Sequence, residues 1–320
     1  MTLTDLAIVG VGKIARDQHI PAIEAGGQFR LAATVSRSGG VAGVETFDTL
    51  DALLAARPEI GVISFCNPPQ VRYEGARAAL AAGRHVMLEK PPGASLSEVR
   101  DLAALADARG LTLYATWHSR QAAGVAGARA WLSDKRVRTV RIDWKEDVRV
   151  WHPGQVWIWQ AGGMGIFDPA INAFSILTEI LPVPVHVTGA DLRFPSNCET
   201  PIAAEVHFAG PGGMTALADL DFLYEGDPFW TMQVETDGGT LTLSQGGAVL
   251  DIGGAREGEG WGDQPGIHGE YPKLYSQMYD LVQAGLQDVD TRPLELAADA
   301  FMLGRRIEVA PFTDPTLAKD

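Results

Sequence analysis

The chain has almost no cysteine. Its two thiols, Cys66 and Cys198, stand far apart with no CxxC spacing, which excludes a disulfide-stapled fold and a cysteine zinc site. They read as free thiols of a reducing compartment, so a cytoplasmic location is expected. Basic residues are also short: 26 Lys and Arg face 40 Asp and Glu, leaving a net charge of -14. Sequence-independent nucleic-acid binding needs cations that neutralise phosphates, so no nucleic acid is expected as a partner. Long apolar runs are missing too. The first, at 6–9, is too short to span a membrane, follows no basic segment and leads straight into glycine, so neither signal peptide nor membrane anchor is expected. No internal repeat, heptad pattern or low-complexity tail is found. His118, His152 and His268 show no HxxxH or clustered ligand spacing, so no metal is expected.

What is present is ordinary globular material. Hydrophobic residues make up 46% and charged residues 21%, and 320 residues suit two domains rather than one. The run Leu6 to Gly10 is apolar, partly β-branched and closed by glycine, as a buried parallel strand would be. Gly10-Val11-Gly12-Lys13-Ile14-Ala15 comes next and opens a helix expected over 14–25. This is the GxGxxA form of the dinucleotide fingerprint. Gly10 permits the tight turn, Gly12 lets backbone approach a pyrophosphate, and Ala15 keeps helix and strand close. The free N–H groups and dipole of the helix N-terminus favour the phosphates.

The next strand, 30–35, ends in Ser36-Arg37-Ser38. A chain that selects NAD usually places an acid there for the ribose 2′-hydroxyl. A hydroxyl and a guanidinium suit an anionic 2′-phosphate instead, so NADP is the preferred cofactor and NAD is tolerated. Strand and helix signals then alternate: helices at 49–56, 71–82 and 96–108, strands at 61–66, 84–88 and 111–117. That alternation means a doubly wound parallel sheet. Two turns lie just past strand ends on its ligand side. One is Asn67-Pro68-Pro69, the other Glu89-Lys90-Pro91. Lys90, held by prolines at the seam between the two halves of the chain, is the candidate reactive lysine; alone, it is equally a solvated lysine before a turn.

After His118 the pattern changes. A helix at 125–132 and a strand at 138–144 lead to Gly162-Gly163-Met164-Gly165 and a helix beginning near Asp168. Strands are expected next at 186–194, 203–208, 215–222, 231–236 and 240–243, then helices at 271–284 and 294–309. This reads as an α+β unit on an open, mostly antiparallel sheet. The expected division is a dinucleotide-binding Rossmann domain at 1–120 and a substrate-binding and oligomerisation domain at 121–320. A C-terminal helix is free to pack back on the first. Asp168-Pro169 at a helix start is what capping predicts, with Asp as N-cap and Pro at N1. The spacing to Asn172 puts both residues on one helix face, and the nearby glycines would admit a substrate or cofactor ring. The tract from Trp144 to Trp159 holds four tryptophans. It reads either as aromatic packing or as a sugar pocket in which Glu146, Trp151 and His152 contact the ligand.

These strings together resemble the glucose–fructose oxidoreductase/inositol dehydrogenase (Gfo/Idh/MocA) family over the whole chain. The resemblance rests on GxGxxA, the Asn67-Pro68 turn and Glu89-Lys90-Pro91. Within the family the chain looks most like the bacterial aldose 1-dehydrogenases that oxidise L-arabinose or D-galactose. Ile14 to Pro21, Met87 to Gly93, Ala115 to Arg120, Trp144 to Asp147, Trp151 to Gln155 and Phe167 to Asn172 carry that closer match. The resemblance implies oxidation of a sugar hemiacetal at C1 to a lactone by hydride transfer to NAD(P). Lys90, Asp168 and Asn172 would be catalytic. Gly10, Gly12, Lys13, Ile14, Ala15, Ser36, Arg37, Cys66, Asn67, Pro68, Glu89 and Lys90 would hold the cofactor. His118, Glu146, Trp151, His152, Asp168 and Asn172 would hold the sugar. The wider family has a histidine where Asn172 stands, which leaves Asp168 as the better base, with Lys90 as the other group able to take the proton. The resemblance also implies subunit contacts through the open sheet face, hence a homo-oligomer. The alternatives are a same-fold oxidoreductase of a cyclic polyol and a non-enzymatic, nucleotide-bound sugar sensor.

Overall fold

The computed structural model describes residues 3–37, 39–261 and 266–314. In chain order the first elements are β1 (Thr4–Val9), a π-helical turn (Ala15–His19) running into α1 (Ile20–Ala25), and β2 (Phe29–Val35). Next are β3 (Glu45–Phe47), α2 (Leu50–Ala56), β4 (Val62–Phe65), α3 (Tyr73–Ala81), β5 (His85–Glu89), α4 (Leu96–Ala108) and β6 (Leu113–Thr116). Then come α5 (Val125–Leu132), β7 (Val137–Lys145), α6 (Val148–Trp151), α7 (Phe167–Ile180), β8 (His186–Pro195), β9 (Ala203–Ala209) and β10 (Thr215–Asp221). The last are β11 (Phe229–Thr236), β12 (Gly239–Ser244), β13 (Val249–Ile252), β14 (Ala255–Glu257), α8 (Glu270–Ala284), α9 (Arg292–Leu303) and β15 (Gly304–Val309). The chain forms two compact units, Met1–His118 with Gly269–Thr291, and Ser119–His268 with Arg292–Asp320.

The first unit is built on a six-stranded sheet in the order β3-β2-β1-β4-β5-β6, with every pairing parallel. This is the Rossmann order, and its switch point lies between β1 and β4, above the fingerprint turn. Its strands are apolar on both faces because helices cover both. Ala7, Ile63, Leu88, Leu80 and Leu102 form one continuous core. Thr49 caps α2 and Ser95 caps α4 through their side-chain oxygens, as their sequence positions require.

The second unit has a nine-stranded sheet in the order β14-β13-β12-β11-β7-β10-β9-β8-β15. Six of its eight pairings are antiparallel; β10 with β7 and β15 with β8 are parallel. Val140, Ile142 and Trp144 of β7 point to the buried side, where α5, α7 and α9 pack. Arg141, Asp143 and Lys145 alternate to the other face and pair there with Asp219 of β10 and with each other. Among the described residues, no helix is long and apolar enough to cross a membrane.

Three local expectations are corrected. The helix expected over 294–309 stops at Leu303, and 304–309 is strand β15. Gly304 ends the helix, and parallel pairing with β8 captures the residues after it, with Arg305 bonding Asp191 and Arg306 lying over Phe194. The helix expected over 14–25 begins as a π turn. Asp168 is not an N-cap: α7 starts at Phe167, two residues before Pro169, Ile166 occupies the cap position, and no side chain caps the helix.

The glycines before α7 also serve a purpose other than the expected one. A Cβ on Gly163 would stand 2.3 Å from the Trp157 carbonyl oxygen, and one on Gly165 would stand 2.2 Å from that of Pro201. Their missing side chains make room for the protein's own backbone. Gly165 also has φ +53°. Replacing it with Ala adds left-handed strain to a clash, so Gly165→Ala is expected to lower stability by about 2–4 kcal/mol in urea unfolding.

Candidate active site

The nucleotide-binding unit collects one set of the expected residues around the ends of β1, β2, β4 and β5. Gly10 has φ +90°, and its Cβ position lies 2.7 Å from the Asn67 backbone nitrogen. Only glycine allows the two loops to approach so closely. A Cβ on Gly12, by contrast, would meet nothing within 4 Å, so the space over that turn is left to a ligand. Ala15 is fully buried against the sheet. Lys13 is exposed and its amine is paired with Asp17 one turn on. At the end of β2, Ser36 is half-buried and Arg37 is exposed; Ser38 lies outside the described residues. Arg16 adds a second guanidinium to this corner, donating to the Gly40 carbonyl at 3.1 Å. The turn, the open approach and the two guanidinium groups fit the phosphates of a dinucleotide.

Cys66, Asn67 and Pro68 form the turn after β4, and Glu89 and Lys90 the turn after β5. Arg72, buried at the start of α3, ties the two together. Its guanidinium donates to the carbonyl oxygens of Asn67, Glu89 and Pro91. Burial draws its pKa down to about 10 against the pull of Glu89 and Cys66, so it stays charged at neutral pH. The Lys90–Pro91 peptide is cis, and Lys90 itself is half-buried.

Behind Lys90 is a polar cluster. Glu89 is 3% exposed. Its Oε1 accepts from the Tyr271 hydroxyl at 2.6 Å and lies 3.1 Å from His19 Nε2; its Oε2 accepts the Lys90 backbone N–H at 2.7 Å. His19 Nδ1 is 2.7 Å from the Tyr275 hydroxyl. Burial pushes the Glu89 carboxyl up, but His19, His118 and the Tyr271 hydroxyl outweigh it and hold the pKa at about 2. Burial likewise lowers the His19 pKa, yet Cys66, Tyr275 and Glu89 together raise it well above its ordinary value. Nearby, His118 Nδ1 is 2.5 Å from Glu270 Oε2, and its ring stacks on Tyr271 at 5.6 Å. That pairing puts the Nδ1 proton on the Glu270 side, so in the neutral ring Nε2 carries the lone pair.

The second unit gathers another set. His152 stands between two buried carboxylates, with Nε2 3.4 Å from Glu146 Oε1 and Nδ1 3.7 Å from Asp168 Oδ2. Glu146 directly follows β7 and is fixed by the backbone of β10, its N–H donating to the Asp221 carbonyl. Asp168 lies in the first turn of α7, where the helix dipole favours a carboxylate. Asn172, one turn on, is half-buried. Trp151 tilts against Trp230 at 5.3 Å, and Trp230 stacks on its cross-strand neighbour Trp144 at 5.5 Å and meets Trp261 at 5.2 Å. The aromatic tract is therefore packed, and its acidic and imidazole neighbours remain grouped beside it.

His19, Arg72, Glu270, Tyr271, Tyr275 and Trp230 were not among the expected site residues. A lone buried histidine or arginine gives no spacing signal, and Tyr271 and Tyr275 come from a helix 182 or more residues away from their partners. The His19–Glu89 pair leads to a prediction. Glu89 contributes stability above pH 4.5 that is lost as pH falls toward 2; His19 contributes below pH 6.5 and loses it as pH rises through its raised value. The melting-temperature gap between the native protein and His19→Gln is therefore expected to be widest between pH 4.5 and 6.5 and to narrow on both sides, as followed by circular dichroism.

The chain is similar to known proteins both in sequence and in structure. Residues 4–116 match the Gfo/Idh/MocA oxidoreductase family, described as an NAD-binding Rossmann fold. A galactose 1-dehydrogenase of Pseudomonas fluorescens is 43% identical, over 97% of this chain and 98% of that one. The crystal structure of a D-galactose-1-dehydrogenase protein from Rhizobium etli superposes with a TM-score of 0.92 at 51% identity, covering 98% of this chain and 99% of that one. A 3-ketoreductase from Actinomadura kijaniata, crystallised with NADP, shares the fold at 18% identity and a TM-score of 0.79, over 96% of this chain and 100% of that one.

Proposed function

The chain belongs to this oxidoreductase family, and from that premise we propose that it is an NAD(P)-dependent aldose 1-dehydrogenase acting on D-galactose. Near-complete coverage by two galactose dehydrogenases, at 43% and 51% identity, is the observation that carries this reading. L-Arabinose has the ring hydroxyl pattern of D-galactose without the exocyclic CH2OH, and is proposed as a second substrate.

The bound nicotinamide would accept the C1 hydrogen with its electron pair. The residues of the chain then have to manage one proton and the charge at the C1 oxygen. Asp168 takes the C1 hydroxyl proton as the carbonyl of the lactone forms. His152, more exposed than either neighbouring carboxylate, passes that proton outward. Lys90 hydrogen-bonds the reacting oxygen, and Asn172, His118, Glu146 and Trp151 orient the sugar. Asparagine at 172 has no base function at neutral pH, which leaves that role to Asp168. Arg37, Arg16 and Ser36 supply donors suited to a 2′-phosphate, so NADP is the proposed preference. A homo-oligomer formed through the polar face of the large sheet, in the cytoplasm, completes the proposal.

The test is the growth of reduced-nicotinamide absorbance with purified protein, crossing NAD and NADP with D-galactose, L-arabinose, D-xylose, D-glucose and myo-inositol. Turnover on D-galactose and L-arabinose is expected. Turnover on the polyol alone would replace the aldose reading, and cofactor binding without any turnover would favour a sensor. Lys90→Ala and Asp168→Ala are each expected to bind cofactor by fluorescence yet lose about a hundredfold or more in kcat. Arg37→Ser is expected to lower kcat/KM with NADP about tenfold, as loss of a charge-assisted hydrogen bond implies, and to leave NAD nearly untouched.

A further inference from the structure

His19 is the last residue of the π turn after the fingerprint glycines, and it is fully buried. π turns are rare and concentrate where a side chain must be aimed for function. From His19 a continuous line of contacts reaches the reactive lysine. His19 Nε2 meets Glu89 Oε1 at 3.1 Å, and Glu89 Oε2 accepts the Lys90 backbone N–H at 2.7 Å. Tyr271 donates to the same Oε1 at 2.6 Å, and Tyr275 steadies the other ring nitrogen of His19 at 2.7 Å. Stability alone does not account for such a group. Replacing a buried ion pair by apolar residues of similar volume is often neutral or stabilising. What the pair adds is direction: the carboxylate is held at one oxygen so that the other meets a single backbone N–H.

We propose that His19 is a positioning residue for Lys90, holding Glu89 so that Glu89 fixes the lysine backbone at the end of β5. His19 touches no reacting atom; it acts through Glu89. The inference deepens the functional reading above and rests on Lys90 being the reactive lysine.

Hydrogen exchange in the cofactor-free protein tests it directly. Positions 91 and 92 are prolines, so the Lys90 amide is the last exchangeable one before Gly93 and is separable with overlapping peptides. In His19→Gln the Lys90 amide is expected to exchange about tenfold faster, the effect of loosening one hydrogen bond to a charged group, while the amides of Val86, Met87 and Leu88 keep their rates. On D-galactose, kcat is expected to fall about ten- to a hundredfold, with the NADP dissociation constant changed less than about threefold. Tyr271→Phe removes the other donor on Oε1 with little change in volume and is expected to show the same pattern at smaller amplitude, which keeps the test open if His19→Gln fails to fold. Unchanged Lys90 exchange in the folded variants would overturn the proposal. Equal acceleration of every β5 amide would overturn it too, since that is what a merely structural role produces. If the native protein oxidised no aldose, the functional reading would fail, and the exchange at Lys90 would still decide the positioning role.

Discussion

A carboxylate taken out of water is costly unless its lone pairs are filled, and the nucleotide-binding unit is arranged around one such group, Glu89. Three donors converge on it: an imidazole from the π turn, a phenol from α8 and the backbone N–H of the next residue. Arg72 adds a buried positive charge that touches the Glu89 carbonyl rather than its carboxylate. Each of these elements would have latitude without the others. The end of β5, the π turn before α1 and helix α8 are all held to one geometry because a single buried charge has to be satisfied from three directions.

The acidic composition and the anionic cofactor are compatible because the relevant field is local. A net charge of -14 spread over the chain acts over distances that salt screens. At the nucleotide end the nearby groups are glycine-turn N–H donors, Arg16 and Arg37. In the second unit two buried acids are instead grouped around one imidazole. Glu146 and Asp168 flank His152, a group able to carry a proton between them. An imidazole between two carboxylates suits the removal of one proton from a neutral substrate.

The fingerprint, the alternation of strands and helices and the two proline turns were legible because each is a local pattern with a period or spacing of its own. The parallel sheet and its ligand side could be inferred from them. Asp168 shows the limit of such reading. Asp-Pro at a helix start satisfies capping preferences, yet the helix begins two residues before Pro169 and the carboxylate faces His152. Gly163 and Gly165 were legible as flexible positions, but not as gaps filled by the carbonyls of Trp157 and Pro201. Strand β15 was hidden because nothing in 304–309 announces that β8 lies ready to pair with it. Tyr271 and Tyr275 were illegible for the same reason: their meaning lies in partners far away along the chain. Arg72 has its partners within 19 residues, but a lone arginine that binds backbone carbonyls leaves no spacing signal.

The nucleotide-binding unit is also split in time. The ribosome completes β1 to β6 and then makes the larger part of the second unit, up to His268, before α8 is added. Until then Glu89 and His19 have no phenol to meet, since Tyr271 lies 182 residues beyond Glu89 and Tyr275 lies 256 beyond His19. The sheet is therefore made well before the helix that completes its polar cluster. The same order constrains inheritance. A genetic exchange that cut near residue 118 would separate the sheet from the helix that completes it. The two halves of this chain thus have reason to be copied and passed on together, although each has a core of its own.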